Sequence, residues 1–434
     1  MNFKKLFSSL FVVLSLLSQL AMSDQFIPIP SYRIGPYAAG GSGFFGGMID
    51  YFNLINERDS GINGVKISWE ECETEYRTEK ALACYERLKN KGEKGASLFQ
   101  FASTGATYAL LEKSRADKIP LLSMGYGRTD SADGRVFPYV FPLITTYWSQ
   151  NTAKIKFIGQ QEGGMDKLKG KVIVNLHHGS GYGRETIPVL DRQAQIYGFK
   201  VIHVEVSPPG INQQSQWLNV LRVQPDWVIL RGWGVMSAVA LKMAEKMGFP
   251  RERMVGVWWS GAEEDVIPAG KAAIGYIAAG FHPSGTGFPV HDDLKRYVYD
   301  RGLGNMQDIS RVGSIYHNRG LITAMISVEG IRRAQQKYGP RVLSGEEIRW
   351  GFENLKLEPQ AITQLGFYGL AQPLSVSCTD HEGGGAVKFS QWDGEQWLQL
   401  TDWIESDQSI VRPMIESSAA RYAELNEIPL RECE

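Results

Sequence analysis

Residues 31–59 read SYRIGPYAAGGSGFFGGMIDYFNLINERD, and inside them Gly41, Gly43 and Gly46 spell G-x-G-x-x-G. A strand-like run precedes these glycines and a helix-like run follows. Glu70 and Glu71 close the next apolar run, GVKISWEE, roughly where a ribose-binding acid sits, about 20 residues on. That is the outline of a dinucleotide-binding turn. The motif alone is weak, however, and its glycines belong to a denser run, GPYAAGGSGFFGG. A mechanical reading is simpler. Glycines let backbone approach a neighbour closely, and the helix start after them offers free N–H groups to a polar or anionic ligand. On that reading the glycines edge a ligand cleft. Phe44 and Phe45 then either stand at its mouth or begin the core face of the helix.

The first residues bear on the same choice. Lys4 and Lys5 precede a mostly apolar run from Leu6 to Leu20, and Ala21-Met22-Ser23 supplies small residues where a signal peptidase reads. The expectation is a signal peptide over 1–23, cleaved before Asp24, and a periplasmic mature protein. An apolar run of about 15 residues is short of the roughly 20 that span a bilayer. No cysteine lies near the cleavage position, which argues against a lipid anchor. An exported protein meets little free nicotinamide or flavin nucleotide, so no cofactor is expected.

The chain has 434 residues and a formal charge of −1. Removing 1–23 takes away two lysines and no acids, which moves the charge to −3. That balance does not favour nucleic acid or an anionic membrane surface. Four cysteines, Cys72, Cys84, Cys378 and Cys433, remain in the mature chain. An even number in an oxidising compartment points to disulfides. Cys72–Cys84 with Cys378–Cys433 is the favoured pairing, and the other two pairings stay open. There is no C-x-x-C, and the seven histidines lack ligand spacing, so no metal site is expected. Asp380-His381-Glu382 are three consecutive residues and cannot readily converge on one ion.

Apolar β-rich runs alternate with helical ones. VKISWEE, GASLFQFAS, IPLLSMGYG and YVFPLIT are separated by helix-like segments, and after Thr152 the alternation restarts with KVIVNLHH, KVIHVEVS, DWVILRGW, RMVGVWW and AIGYIAAGFH. Such alternation predicts parallel sheets covered on both faces, and its restart predicts two α/β lobes. The break near 145–150 falls inside an apolar run, which suggests crossing strands rather than a flexible linker. Towards the C-terminus AVKFSQW and QWLQLTDW form a hairpin around Trp392-Asp393-Gly394. The last 25 residues read as polar and weakly helical.

The stretch IGPYAAGG…GGMIDYFNLINERDSGINGVKISWEECET resembles the opening of the periplasmic branched-chain amino acid binding proteins. NLINERDSGINGVKI matches that family's helix-ending phrase, with Ser60 in place of its first glycine. SRADKIPLLSMG, YVFPLITTYWSQ, HHGSGYGRET, QPDWVILRGWG and GVWWSG resemble later segments in order, over about 32–400. The resemblance implies two doubly wound parallel-sheet lobes joined by three crossovers, with ligand held between hinged lobes. It implies a first lobe over 24–144 plus 282–370 and a second over 145–281 plus 371–434. It also implies an ABC transporter substrate-binding protein, monomeric, that delivers a small organic solute to inner-membrane permease subunits.

Carried over by position, Ser103, Thr104 and Gly105 begin a helix where hydroxyl and N–H donors would meet a ligand carboxylate. Ser103 and Thr104 would also serve as an ordinary N-cap. Gly125 and Gly127 allow close approach, with Tyr126 between them. Tyr182 falls on the family's cleft tyrosine and Trp233 near a second cleft aromatic; Tyr316 and Asn318 lie where a further contact is sometimes made. Amino-acid binders carry a glutamate for the ligand ammonium just after the strand that GVWWSG resembles. Here Trp259 and Ser260 stand there, and Glu263 and Glu264 come later. Alternation along a strand lets at most one of Trp258 and Trp259 face the cleft, and Trp259 is the one expected to contact ligand. An aromatic-walled cleft without an amine anchor suits an aromatic or aliphatic carboxylate at least as well as an amino acid or amide. The competing functions are a ligand sensor for a membrane receptor, using the same fold, and a nucleotide-dependent oxidoreductase. No nucleophile–base constellation supports an enzyme.

Overall fold

A computed structural model describes residues 23–433, so the expected signal peptide, apart from its last residue Ser23, lies outside the described residues. The first lobe carries short parallel pairings. Gln25–Phe26 (β1) pairs with Ile67–Ser68 (β2), and Leu121–Leu122 (β3) with Val140–Phe141 (β4). The extended segment 97–101 bridges the two pairs, since Ser97 donates its N–H to Phe26 and Leu122 donates to Phe99. The second lobe holds a seven-stranded sheet. Val172–His178 (β5), Lys200–Val206 (β6), Trp227–Arg231 (β7), Met254–Gly256 (β8) and Ile277–Gly280 (β9) are parallel, in the order β6-β5-β7-β8-β9. After the antiparallel pair Lys356–Leu357 (β10) and Leu374–Ser375 (β11), the chain returns as Lys388–Trp392 (β12) and Trp397–Gln399 (β13). This hairpin adds antiparallel strands beside β9. The architecture is the expected pair of α/β lobes.

The chain passes between lobes after β4, after β9 and before β12, and these passages are bonded to one another. Ile144 donates to the Glu382 carbonyl at 2.9 Å, and the Thr146 N–H to a Glu382 carboxylate oxygen at 2.6 Å. Gln372 Nε2 donates to the Phe281 carbonyl at 2.9 Å. His381 turns instead to the Val140 carbonyl, 2.7 Å away. His381 and Glu382, neighbours in sequence, therefore diverge into separate hinge contacts.

Two expectations are corrected. The first helix, Ala38–Arg58, begins before the glycines of the opening motif rather than after them. Gly40, Gly43 and Gly47 recur at helical spacing, and that face meets Trp233 and the helix Ile315–Tyr338. A Cβ at Gly47 would sit within 3.0 Å of the His317 carbonyl oxygen, and one at Gly320 equally close to the Phe44 carbonyl. The glycines let two helices pack backbone to backbone; they form no loop at a cleft rim. The C-terminal region is also more ordered than its polarity implies. Gln408–Leu425 is a helix whose buried stripe, Val411, Ile415, Ala419 and Ala423, repeats every four residues. Its first half is bonded to the second lobe through Asp407 and Thr152 (2.8 Å). Its second half reaches the first lobe through Ser418–Asp130 (2.6 Å) and Tyr422–Glu112 (2.8 Å).

Both disulfides of the favoured pairing are formed, Cys72–Cys84 and Cys378–Cys433, with Cα–Cα separations of 5.9 and 5.7 Å. They span 12 and 55 residues, so chain-entropy loss on unfolding predicts about 3 and about 4 kcal/mol respectively. Denaturant melts of Cys84→Ala and Cys433→Ala are expected to show the larger loss in the second variant. Equal losses would mean that strain or residual structure, not loop length, sets the effect.

Candidate functional site

Between the lobes lies a small cavity of about 10 Å³, lined by Tyr76, Ala102, Thr104 and Tyr126 from one lobe and Tyr147, Tyr182, Trp233 and Trp259 from the other. Local backbone sets the first wall. Ser103 caps the helix Thr104–Asp117, its Oγ accepting the Ala106 N–H at 3.3 Å. That cap turns Thr104 into the cavity, where its Oγ1 accepts the Gly127 N–H. Ala102, just before the cap, is in the left-handed region at φ 47°, a conformation costing about 1–3 kcal/mol for a non-glycine residue. Two bonds hold it there. Its N–H donates to the Tyr126 hydroxyl at 2.8 Å and its carbonyl accepts from Tyr32 at 3.1 Å.

The second wall is aromatic. Trp258 and Trp259 both donate their indole N–H to the Gly125 carbonyl, at 2.6 and 2.9 Å, which ties the lobes together. Gly125 has φ 64°, and a Cβ there would press on Trp258. Only Trp259 lines the cavity; Trp258 packs on Tyr147 and Phe281. Trp233 meets Trp259 and Tyr316 edge-on and stacks on Tyr37. Its Nε1 has no hydrogen-bond partner. The Tyr182 hydroxyl donates to the Gly232 carbonyl at 2.7 Å.

Of the residues singled out from the sequence, Thr104, Tyr126, Tyr182, Trp233 and Trp259 come together around this space. Others stand behind it. Phe44 is buried against Phe45 and the back of Trp259. Gly105 faces Thr78. Tyr316 stacks on Trp259 and donates to its carbonyl at 3.0 Å. Asn318 bonds His291 and the Gly285 carbonyl. Sequence reasoning missed Tyr76, Ala102 and Tyr147. Tyr76 lies inside the Cys72–Cys84 loop, and Tyr147 follows the cap Thr146 at the first crossover.

Among the described residues, no carboxylate lines the cavity. The acids after GVWWSG are used elsewhere, as a clasp between lobes. Glu263 accepts the Ile315 N–H and Glu264 the Ser314 hydroxyl, each at 2.8 Å; Asp265 accepts the Tyr316 hydroxyl at 2.8 Å. Across the cleft, buried Glu185 accepts the Thr129 N–H at 2.7 Å and the Tyr108 hydroxyl. Burial pushes Glu264 and Glu185 up to about 8 and Asp265 up to about 7. Closed lobes thus bind protons that separated lobes would release near the ordinary value of about 4. The resulting preference for closure is complete below that value and is lost as pH rises towards 8. Solute affinity is expected to fall between about pH 5 and about pH 8, and Glu264→Gln to flatten the profile. An unchanged profile in the variant would remove Glu264 from the clasp.

Comparison with known proteins bears on this geometry. The family described as periplasmic binding protein matches residues 25–396. Among curated proteins, none matches the chain. A crystal structure from the Pseudomonas fluorescens group, described as an ABC transporter permease, is 46% identical, with a TM-score of 0.88 over 95% of this chain and 99% of that one. A branched chain amino acid ABC transporter protein from Thermus thermophilus, solved with valine, is 20% identical with a TM-score of 0.75, covering 91% and 99%. A solute binding protein of an ABC transporter from R. palustris, in complex with benzoate, is 16% identical with a TM-score of 0.68, covering 88% and 97%.

Proposed function

The chain belongs to the periplasmic binding protein family, and from that premise we propose that it captures a small aromatic or short aliphatic carboxylate for an ABC transporter. It is a substrate-binding protein of the Leu/Ile/Val-binding type, and we read it as a binder and carrier rather than an enzyme. On this reading the mature protein begins at Asp24 in the periplasm. The solute is held between lobe 1 (24–144 plus 282–370) and lobe 2 (145–281 plus 371–434). Delivery is to inner-membrane permease subunits.

The observation that carries the ligand class is the lining of the cavity. Six of its eight residues are aromatic, and none is a carboxylate that could pair with an ammonium. Flat rings favour a planar or apolar body through area burial and offset stacking. Thr104 and the unpartnered Trp233 N–H supply polar contacts for an oxygen. Proteins of this fold have been solved with valine and with benzoate, so the fold accommodates ligands with and without an amine.

The test is a thermal-shift screen of refolded, ligand-stripped protein against valine, leucine, benzoate, benzamide, short aliphatic acids, NAD and FAD. A ligand that binds only the folded state raises the melting temperature by mass action. Shifts with amine-free acids are expected. Shifts with amino acids alone would overturn the ligand class, and a shift with NAD or FAD would revive the dinucleotide reading of the glycine motif.

A further inference from the structure

A second cavity, of about 180 Å³, lies on the C-terminal hairpin side of the seven-stranded sheet. It shares no lining residue with the cavity between the lobes. Strand register explains why the space exists. Ser390 of β12 stands between Ala278 of β9 and Gln399 of β13, and Lys388 is paired with Gly280. Directly opposed residues share a face, and Ala278, Gly280 and Ser390 are small, so the floor is low. Taller groups surround it: Trp397 and Trp403 from the hairpin and the turn after it, His282 from the crossover, and Ile315 from the start of the helix Ile315–Tyr338. Gly261 closes one side by lying directly on Ala278, where a Cβ would press on the alanine methyl. An apolar cavity of about 150 Å³ holds one benzene molecule, so this space accepts a single ring.

The charge of the lining has one sign. Lys388 lines the cavity, and among the described residues no carboxylate does. Its contacts are neutral: Nζ donates to Gln399 Oε1 at 3.2 Å and lies 4.7 Å from the centre of the Trp403 ring. An ammonium has three donors, so two remain for a ligand. His282 adds no charge, since its Nε2 accepts from Arg319 Nε at 3.2 Å and its Nδ1 is bonded to the Pro283 carbonyl at 3.0 Å. Two indoles favour a flat ring through area burial and stacking. The ammonium favours an anionic group on that ring, because hydrogen bonds between ionised partners are the strong ones, and it disfavours a cationic one.

We propose that this cavity is a second ligand site, for a single-ring aromatic carboxylate whose ring lies against Trp397 and Trp403 and whose carboxylate meets Lys388. It does not rest on the solute reading of the cavity between the lobes. A Cβ at Gly280 meets the His282 carbonyl oxygen at 3.4 Å and nothing else within 4 Å, and the backbone there is not left-handed; Gly280→Leu therefore fills the floor without displacing backbone. 4-Bromobenzoate and 4-bromobenzamide would be titrated by calorimetry into ligand-stripped wild type, Gly280→Leu and Lys388→Met. Wild-type crystals soaked in 4-bromobenzoate would be examined for anomalous scattering. The expected result is bromine beside Trp397 and Trp403, with a binding event that Gly280→Leu abolishes. The same event weakens about fivefold or more in Lys388→Met, and by a similar factor when the amide replaces the acid. Ser390→Leu serves if Gly280→Leu does not fold. No bromine in this cavity, or every binding event surviving in Gly280→Leu, overturns the site. Unchanged affinity in Lys388→Met overturns the carboxylate class. Bromine here with none between the lobes supports this site and counts against the solute reading, so the two fail separately.

Discussion

Trp233→Ala is expected to weaken solute binding by about 100-fold. Truncating a buried aromatic anchor at a binding contact costs about 2–4 kcal/mol, and Trp233 is central here. It lines the cavity, lies edge-on to Trp259 and Tyr316, and carries an indole N–H without a partner inside the protein. Trp233→Phe keeps a ring and loses the N–H, so a loss of a few-fold is expected from it. The pair separates the wall from the donor. The alanine variant also leaves a hole in a packed cluster, which lowers stability by about 3–5 kcal/mol. Affinity is therefore read by calorimetry well below the variant's melting temperature. Unchanged affinity in Trp233→Ala would mean that the solute does not lie against this wall.

The lobes and their sheets were legible because the period of apolar residues is a property of the chain alone. β5 to β9 fall within the runs that alternation marks out. The cavity was partly legible. Thr104, Tyr126, Tyr182, Trp233 and Trp259 sit at strand-to-helix junctions, which parallel sheets bring to one edge. Tyr76 and Tyr147 lie outside that logic, in a disulfide loop and at a crossover, and only the assembled lobes bring them in. The C-terminal helix hid because half of its stripe is alanine, which carries little apolar signal.

The opening glycines misled because one pattern serves two mechanisms. G-x-G-x-x-G describes a phosphate-cradling turn, but glycines at 40, 43 and 47 are also three and four apart, the spacing of one helix face. The two readings part on substitution. Gly47→Ala is expected to destabilise the protein by about 3 kcal/mol or more, at the upper end of overpacking costs. The added Cβ would lie within 3.0 Å of the backbone carbonyl of His317, and backbone cannot rotate away as a side chain tip can. Gly320→Ala is expected to act similarly, through the Phe44 carbonyl on the opposite helix. Gly287→Ala is the control: a Cβ there meets nothing within 4 Å, and its backbone is not left-handed. Urea melts of the three variants decide the matter. Large losses at 47 and 320 with none at 287 assign the face of Gly40, Gly43 and Gly47 to helix packing. A Gly47→Ala protein of normal stability that had lost solute binding would return the glycines to the ligand. The same contact joins Ala38–Arg58, whose start carries Gly40 against the Trp233 ring, to Ile315–Tyr338, whose start carries Tyr316 against Trp259. Loosening it therefore shifts the backing of both cavity tryptophans, and a loss of stability in Gly47→Ala should bring a secondary loss of affinity, smaller than that of Trp233→Ala.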